Sequence, residues 1–398
     1  MNWISSFPLN SNKDTLSNIL NSTPMKTFTT FLLIIGAIFM ANAQSSKTYN
    51  LIVGTYTNPG KSNGMYVYTF NSETGELTFK AESPAIKNPS FLTVSSNRKF
   101  VYAVSEVGEG SVNAFKYDAA SGKLVFINSA SAGGNGPCYV SVDNKNKFAF
   151  VGNYGGGSLA AVPINSDGSL SDKIQSIQHQ GSSINKGNQE KPHVHATLLS
   201  KDDKYLFVPD LGTDKINIYK VDATKAQPLT PAAQPFVSIT PGGGPRHFAF
   251  HPNGKTAYLI QEMTGVVTAF EYSNGKLTTK ESVALPAAGS KGKIDAADIH
   301  VSPDGKFLYG SLRGDVNEIV ICSIDNSGKL TLAGRQSTLG KTPRNFAIDP
   351  TGKFLLVGNQ NSDNIIVFKR DQKTGLLSAT GTKISIGAPV CLVFTADK

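Results

Sequence analysis

The stretch that decides the fold is GPRHFAFHPNGKTAYLIQE, Gly244 to Glu262. Phe248–Phe250 is a short apolar run, His251–Gly254 (HPNG) is a turn signal, and Thr256–Gln261 is a second β-rich run. Two such runs joined by a turn containing Asn-Gly predict an antiparallel hairpin. A hairpin returns the chain to the side it left. Arg246, before the first strand, and Glu262, after the second, are therefore expected at one edge.

The same unit recurs. PSFLTVSSNRKFVYAVSE starts at Pro89, PCYVSVDNKNKFAFVGNY at Pro137 and HVHATLLSKDDKYLFVPDLG at His193. ADIHVSPDGKFLYGSLRG follows from Ala297 and PRNFAIDPTGKFLLVGNQN from Pro343. Starts recur about every 50 residues, the spacing of propeller blades. Between copies lie two more strand-like runs, so each repeat reads as a four-stranded meander. Six hairpins are complete, and two halves remain at the ends. KTYNLIVGTYT near the N-terminus is a second strand without its predecessor, and APVCLVFTADK at the C-terminus is a first strand without its partner. Joining them makes a seventh blade and removes the open edges of the array. The expected fold is an all-β seven-bladed propeller, closed by a C-terminal inner strand joined to three N-terminal strands.

Composition agrees with many short strands and tight turns: 39% hydrophobic, 17% charged, 38 glycines and 20 prolines in 398 residues. The formal charge of +9 comes mostly from lysines placed singly in turns. No basic run or aromatic-interleaved basic stripe argues for nucleic acid. Three dispersed cysteines, Cys138, Cys322 and Cys391, support neither a disulfide framework nor a zinc site. No metal and no cofactor is expected.

The N-terminus carries a targeting signal. Met25-Lys26, the apolar run Phe31–Met40 and Ala41-Asn42-Ala43 have the layout of a secretory signal peptide cleaved after Ala43. Residues 25–43 are that signal, 1–24 a doubtful extension and 44–398 the propeller. The mature chain would be exported, to the periplasm, with no membrane attachment after cleavage. The single tryptophan, Trp3, falls in the extension, which disfavours a WD40 reading.

Aligning the copies by their turn lysines assigns two rim positions per blade. Before the first strand come Ser90, Cys138, His195, Arg246, Ala297 and Arg344; after the second come Glu106, Asn153 or Tyr154, Asp210, Glu262, Arg313 and Gln360. His193, His247, Asp298 and Asn345 fall beside them. These positions should ring one mouth of the central channel, bringing three arginines, at least two histidines and several carboxylates together where a concave pocket belongs. Arginine's planar fork suits carboxylate or phosphate, so an anionic ligand is expected. A histidine near carboxylates can serve as general base. His251 occupies a turn position filled elsewhere by Asp143, Ser302 and Asp349 and reads as structural; His300 is as consistent with core as with channel lining. His179 sits in a long polar connection, Gln175–Glu190, expected as a surface loop. Gly155–Gly157 opens no helix, and no Gly-x-Ser-x-Gly elbow is present.

GPRHFAFHPNGK with its following glutamate, DLGTDKINIY at Asp210–Tyr219, AADIHVSPDGKFLYGSLRG and PRNFAIDPTGKFLLVGNQN together resemble the seven-bladed lactonase family. That family includes the propeller type of 6-phosphogluconolactonase and carboxy-muconate lactonising enzyme. The resemblance spans the mature chain. It implies a catalytic set of His195, Arg246, Glu262 and Arg313; the rim positions and neighbours His193, Asp210, His247, Arg344, Asn345, Gln360, Glu106 and Asn153 are the substrate-binding candidates. It implies hydrolysis of a small-molecule sugar lactone, with a lactonising cycloisomerase and a non-catalytic ligand-binding propeller as alternatives. Export favours an unphosphorylated lactone, since sugar phosphates are normally cytosolic.

Overall fold

The computed structural model describes residues 48–289 and 292–397. The expected signal segment, 25–43, and the extension before it, 1–24, lie outside the described residues. Seven four-stranded antiparallel sheets are formed among those residues. In chain order, blade 1 spans 92–135, blade 2 137–178, blade 3 198–238, blade 4 245–284, blade 5 296–337 and blade 6 343–385. Blade 7 combines the C-terminal strand Pro389–Ala396 with Thr48–Thr55, Tyr66–Asn71 and Leu77–Glu82, paired in that order. The closure expected from the two half-repeats is present. Innermost strands contact one another from blade to blade, blade 7 to blade 1 included, except between blades 3 and 4, where the second strand Tyr205–Asp210 meets the innermost strand Pro245–Phe250.

Burial follows from position in the blade. The second strand packs on both faces, so Thr256–Gln261, Phe307–Leu312 and Phe354–Asn359 are buried at every residue. The outermost strands face water on one side and alternate, as in Leu377–Ser385. The hydrophobic core is correspondingly divided into clusters, one between each pair of neighbours. Tyr258, Ile260, Leu308 and Leu312 fill the gap between blades 4 and 5; Phe70, Leu356 and Leu392 fill that between 6 and 7. A second-strand tyrosine clasps the next blade in three places: Tyr102, Tyr258 and Tyr309 donate to the carbonyls of Gly168, Gly328 and Gly375.

The first-to-second-strand turn needs one left-handed residue. Gly254, Gly305 and Gly352 supply it at φ 68, 72 and 70°. In blades 1 to 3 the same place holds Arg98, Asn146 and Asp203, at φ 57, 53 and 56°. The Asn-Gly signal was thus one instance of a conformational requirement that the other copies meet with side chains.

Candidate active site

In blades 2, 4, 6 and 7 the innermost strand delivers one residue to the mouth by a β-bulge. In blade 4, Pro245 pairs with Gln261 and His247 with Ile260, leaving Arg246 as the extra residue. The same slip frees Cys138 in blade 2, Arg344 in blade 6 and Val390 in blade 7. Each freed residue follows a proline, which lacks the N–H a regular ladder would use. These residues lie inside the strand, not before it as the hairpin reading placed them. The bulge re-aims their side chains toward the opening.

The second ring is fixed by a repeated backbone bond. The N–H of Tyr56, Glu106, Tyr154, Leu211, Glu262, Arg313 and Gln360 donates in each blade to a carbonyl just before the innermost strand. This register corrects two assignments. Tyr154 and Leu211, not Asn153 and Asp210, occupy the rim. Asn153 is buried and donates to Ala132 O and Ser158 Oγ. Asp210 is fully buried; its Oδ1 accepts the N–H groups of His193, Gly212 and Thr213, and its Oδ2 faces His179 Nδ1 at 2.7 Å. His179, expected on a surface loop, is buried against Asp210 and Tyr219. Tyr56 escaped the sequence reading because its repeat is divided between the chain ends.

At the mouth, Glu262 gathers the charges. Its Oε2 accepts from Arg246 Nε at 2.6 Å, stands 3.2 Å from Arg313 Nη2 and lies 3.9 Å from His195 Nε2. Arg246 also donates to Ala297 O, and Arg313 to Asp295 Oδ1 at 2.6 Å and Ala296 O. Burial opposes ionisation of Glu262, but Arg313, Arg246 and Arg344 together hold its carboxyl below the usual range. Arg313 is lowered to about 10, chiefly by burial, and stays charged at neutral pH.

Opposite this network, Glu106 accepts hydrogen bonds from Tyr56 OH at 2.8 Å and from Ser90 Oγ. Arg344 lies over the Tyr56 ring, 5.4 Å from its centroid, and donates no hydrogen bond among the described residues. The anion-seeking triad of arginines is therefore narrower than the sequence suggested: two are committed, one is free.

Ser90, Glu106, Cys138, His195, Arg246 and Arg344 surround a cavity of about 10 Å³, with Phe91, His247 and Val390 completing its wall. That is room for about one water. Burial, reinforced by Arg246, His247 and Arg344, holds the His195 imidazole well below its ordinary value, so it is neutral near pH 7. Its Nδ1 is 3.9 Å from Cys138 Sγ. Burial pushes the Cys138 thiol far up, which removes it as a nucleophile.

The remaining expected residues sit around this centre. His193 is buried, stacked on Tyr154 and hydrogen-bonded to Tyr154 O. Gln360 opens a 3-10 turn on the same rim. His247 and Asn345 point into the channel beneath, where both bind Asp298. His300 joins the same carboxylate at 2.9 Å. A stacked pair, Phe91 and Tyr139 with ring centroids 3.9 Å apart, lines a larger cavity of about 340 Å³ that shares Phe91 and His247 with the cavity at the mouth.

A family model described as lactonase, 7-bladed beta-propeller, matches residues 50–394. A 6-phosphogluconolactonase of Formosa agariphila is 42% identical over 335 residues, covering 82% of this chain and 94% of that one. A Bacillus subtilis protein of the same name is 35% identical over 345 residues, covering 86% and 97%. Among solved structures, a periplasmic gluconolactonase of Pseudomonas aeruginosa superposes with a TM-score of 0.84 at 37% identity, covering 88% of this chain and all of that one.

Proposed function

We propose, for a chain that belongs to the seven-bladed β-propeller lactonase family, that it hydrolyses a sugar lactone at the mouth built around His195. The observation that carries this reading is one small cavity bounded by a neutral imidazole and an uncommitted guanidinium, His195 and Arg344. A water in that cavity gives its proton to His195 as it attacks the lactone carbonyl. His195 is a better base than Glu262, because two arginines hold Glu262 and weaken its basicity. Glu262 instead stabilises the imidazolium as it forms.

The carbonyl oxygen gains charge in the tetrahedral intermediate. Arg344, with its donors free, receives it, supported by Arg246 at the cavity wall. Collapse breaks the ring C–O bond, and His195 returns its proton to the departing alkoxide. One water is consumed and an aldonic acid is formed.

The relatives' names support a sugar lactone as substrate class. Export with cleavage after Ala43 is the localisation proposed, and N-terminal sequencing of the secreted chain tests it. No helix among the described residues is long and apolar enough to cross a membrane.

The deciding experiment is a lactone panel run in ¹⁸O-water. Hydrolysis places the label in the product carboxylate. Turnover of a muconate to a lactone without hydrolysis favours the cycloisomerase alternative, and binding without turnover favours a non-catalytic propeller.

A further inference from the structure

Glu106 is not used by the hydrolytic steps, yet it faces the same cavity as His195 and Arg344. Its Oε2 takes hydrogen bonds from the neutral hydroxyls of Tyr56 and Ser90, and no cation lies within ion-pair distance among the described residues. Its charge is thus held by hydroxyls with no close ion pair, Arg344 being the cation that shares its cavity. Three guanidinium groups at the mouth (Arg246, Arg313, Arg344) face three carboxylates (Glu106, Glu262, Asp295). With His195 neutral, these six groups carry no net charge between them.

A phosphate is poorly matched to such a site. Phosphate sites gather several charged or N–H donors on one anion. Here Arg246 and Arg313 are committed to Glu262 and Asp295. Of the lysines near the rim, Lys191 donates to Gly155 O at 2.8 Å and Lys293 stands beside Asp295 at 3.8 Å. Of the three mouth arginines among the described residues, Arg344 alone keeps its fork free, enough for one carbonyl oxygen. A carboxylate has about four lone-pair sites, so Glu106 can accept from further hydroxyls such as those of a polyol ring.

We propose that Glu106, positioned by Tyr56 and Ser90 beside Arg344, is a specificity residue that admits lactones bearing hydroxyl groups and discriminates against those bearing phosphate. This rests on the lactonase reading above and goes beyond it by naming the charge class of the substrate. Two like-charged groups a few ångströms apart in a partly desolvated mouth repel strongly enough for a discrimination of about tenfold or more.

The test uses the mature chain with D-glucono-1,5-lactone and its 6-phosphate at equal ionic strength. The wild type should show kcat/KM for the uncharged lactone at least about tenfold higher. Glu106→Gln should narrow that ratio, mainly by lowering KM for the phosphorylated lactone, and Glu106→Asp should preserve it. A wild type that prefers the phosphorylated lactone overturns the proposal, as does a ratio that Glu106→Gln leaves unchanged. Binding of gluconate and 6-phosphogluconate by calorimetry reads the same contrast without turnover. Tighter gluconate binding that weakens toward parity in Glu106→Gln supports the charge argument even if no lactone is opened, an outcome that would sink the lactonase reading alone.

Discussion

His195 and Glu262 approach to 3.9 Å although they belong to different blades and neither is the other's nearest hydrogen-bond partner. Arg246 holds the Glu262 carboxylate, and the carboxylate in turn faces a neutral imidazole. The pair is poised for a proton to arrive on His195 without forming a salt bridge beforehand.

That relationship fixes a pH profile. His195 acts as base only when neutral, and its value in the folded protein is depressed by burial first and by Arg246, His247 and Arg344 next. Activity should therefore hold as pH drops past 6.5, the ordinary histidine value, and fall only on passing the lower one. Arg246→Gln removes one of those positive neighbours and should move the acid limb upward. A pH series of kcat/KM on wild type and variant measures both. An acid limb at or above 6.5 in the wild type would remove His195 from the role of base.

The two kinds of arginine should separate in stability. Arg246 is 1% exposed and bridges Glu262 to the Ala297 carbonyl, so Arg246→Ala takes this donor from the carbonyl and leaves the carboxylate to Arg313 alone. A loss of roughly 2–4 kcal/mol is expected in denaturant unfolding. Arg344 contributes a cation–π contact with Tyr56, and Arg344→Ala should cost only about 1 kcal/mol or less. Its catalytic cost should be larger, on the order of 10²–10³ in kcat.

Ring closure is testable by moving the chain ends. The Thr48 hydroxyl donates to the Asp397 carboxylate, so the two ends of blade 7 are neighbours. Deleting residues 389–397 strips the partner of Thr48–Thr55 and should leave an aggregating chain without a cooperative melt. A permutant joining residue 397 to residue 48 and opened in the exposed turn between Asn326 and Ser327 should fold and melt like the parent. Size-exclusion chromatography and circular dichroism report both.

Blade number and closure were legible because they rest on local pattern: a turn lysine, an alternating strand and two complementary half-repeats. The mouth was legible in outline, since Arg246, Glu262, His195 and Arg313 do converge. What local pattern could not carry was register. A one-residue difference at the strand end sends Asp210 inward to three backbone N–H groups and puts Leu211 on the rim. The bulge that turns Arg246 and Arg344 outward had a signal, the preceding proline, that acquires meaning only once the ladder is seen. Nor does any spacing say that Arg246 and Arg313 share Glu262 while Arg344 stands free. That depends on packing between blades far apart in sequence.

The most direct measurement is the rate of glucono-1,5-lactone opening, with the spontaneous rate subtracted, for the wild type, His195→Ala and Arg344→Ala at matched folded fraction. The account predicts clear acceleration by the wild type and a loss on the order of 10²–10³ in each variant. Acceleration that survives both substitutions would contradict it.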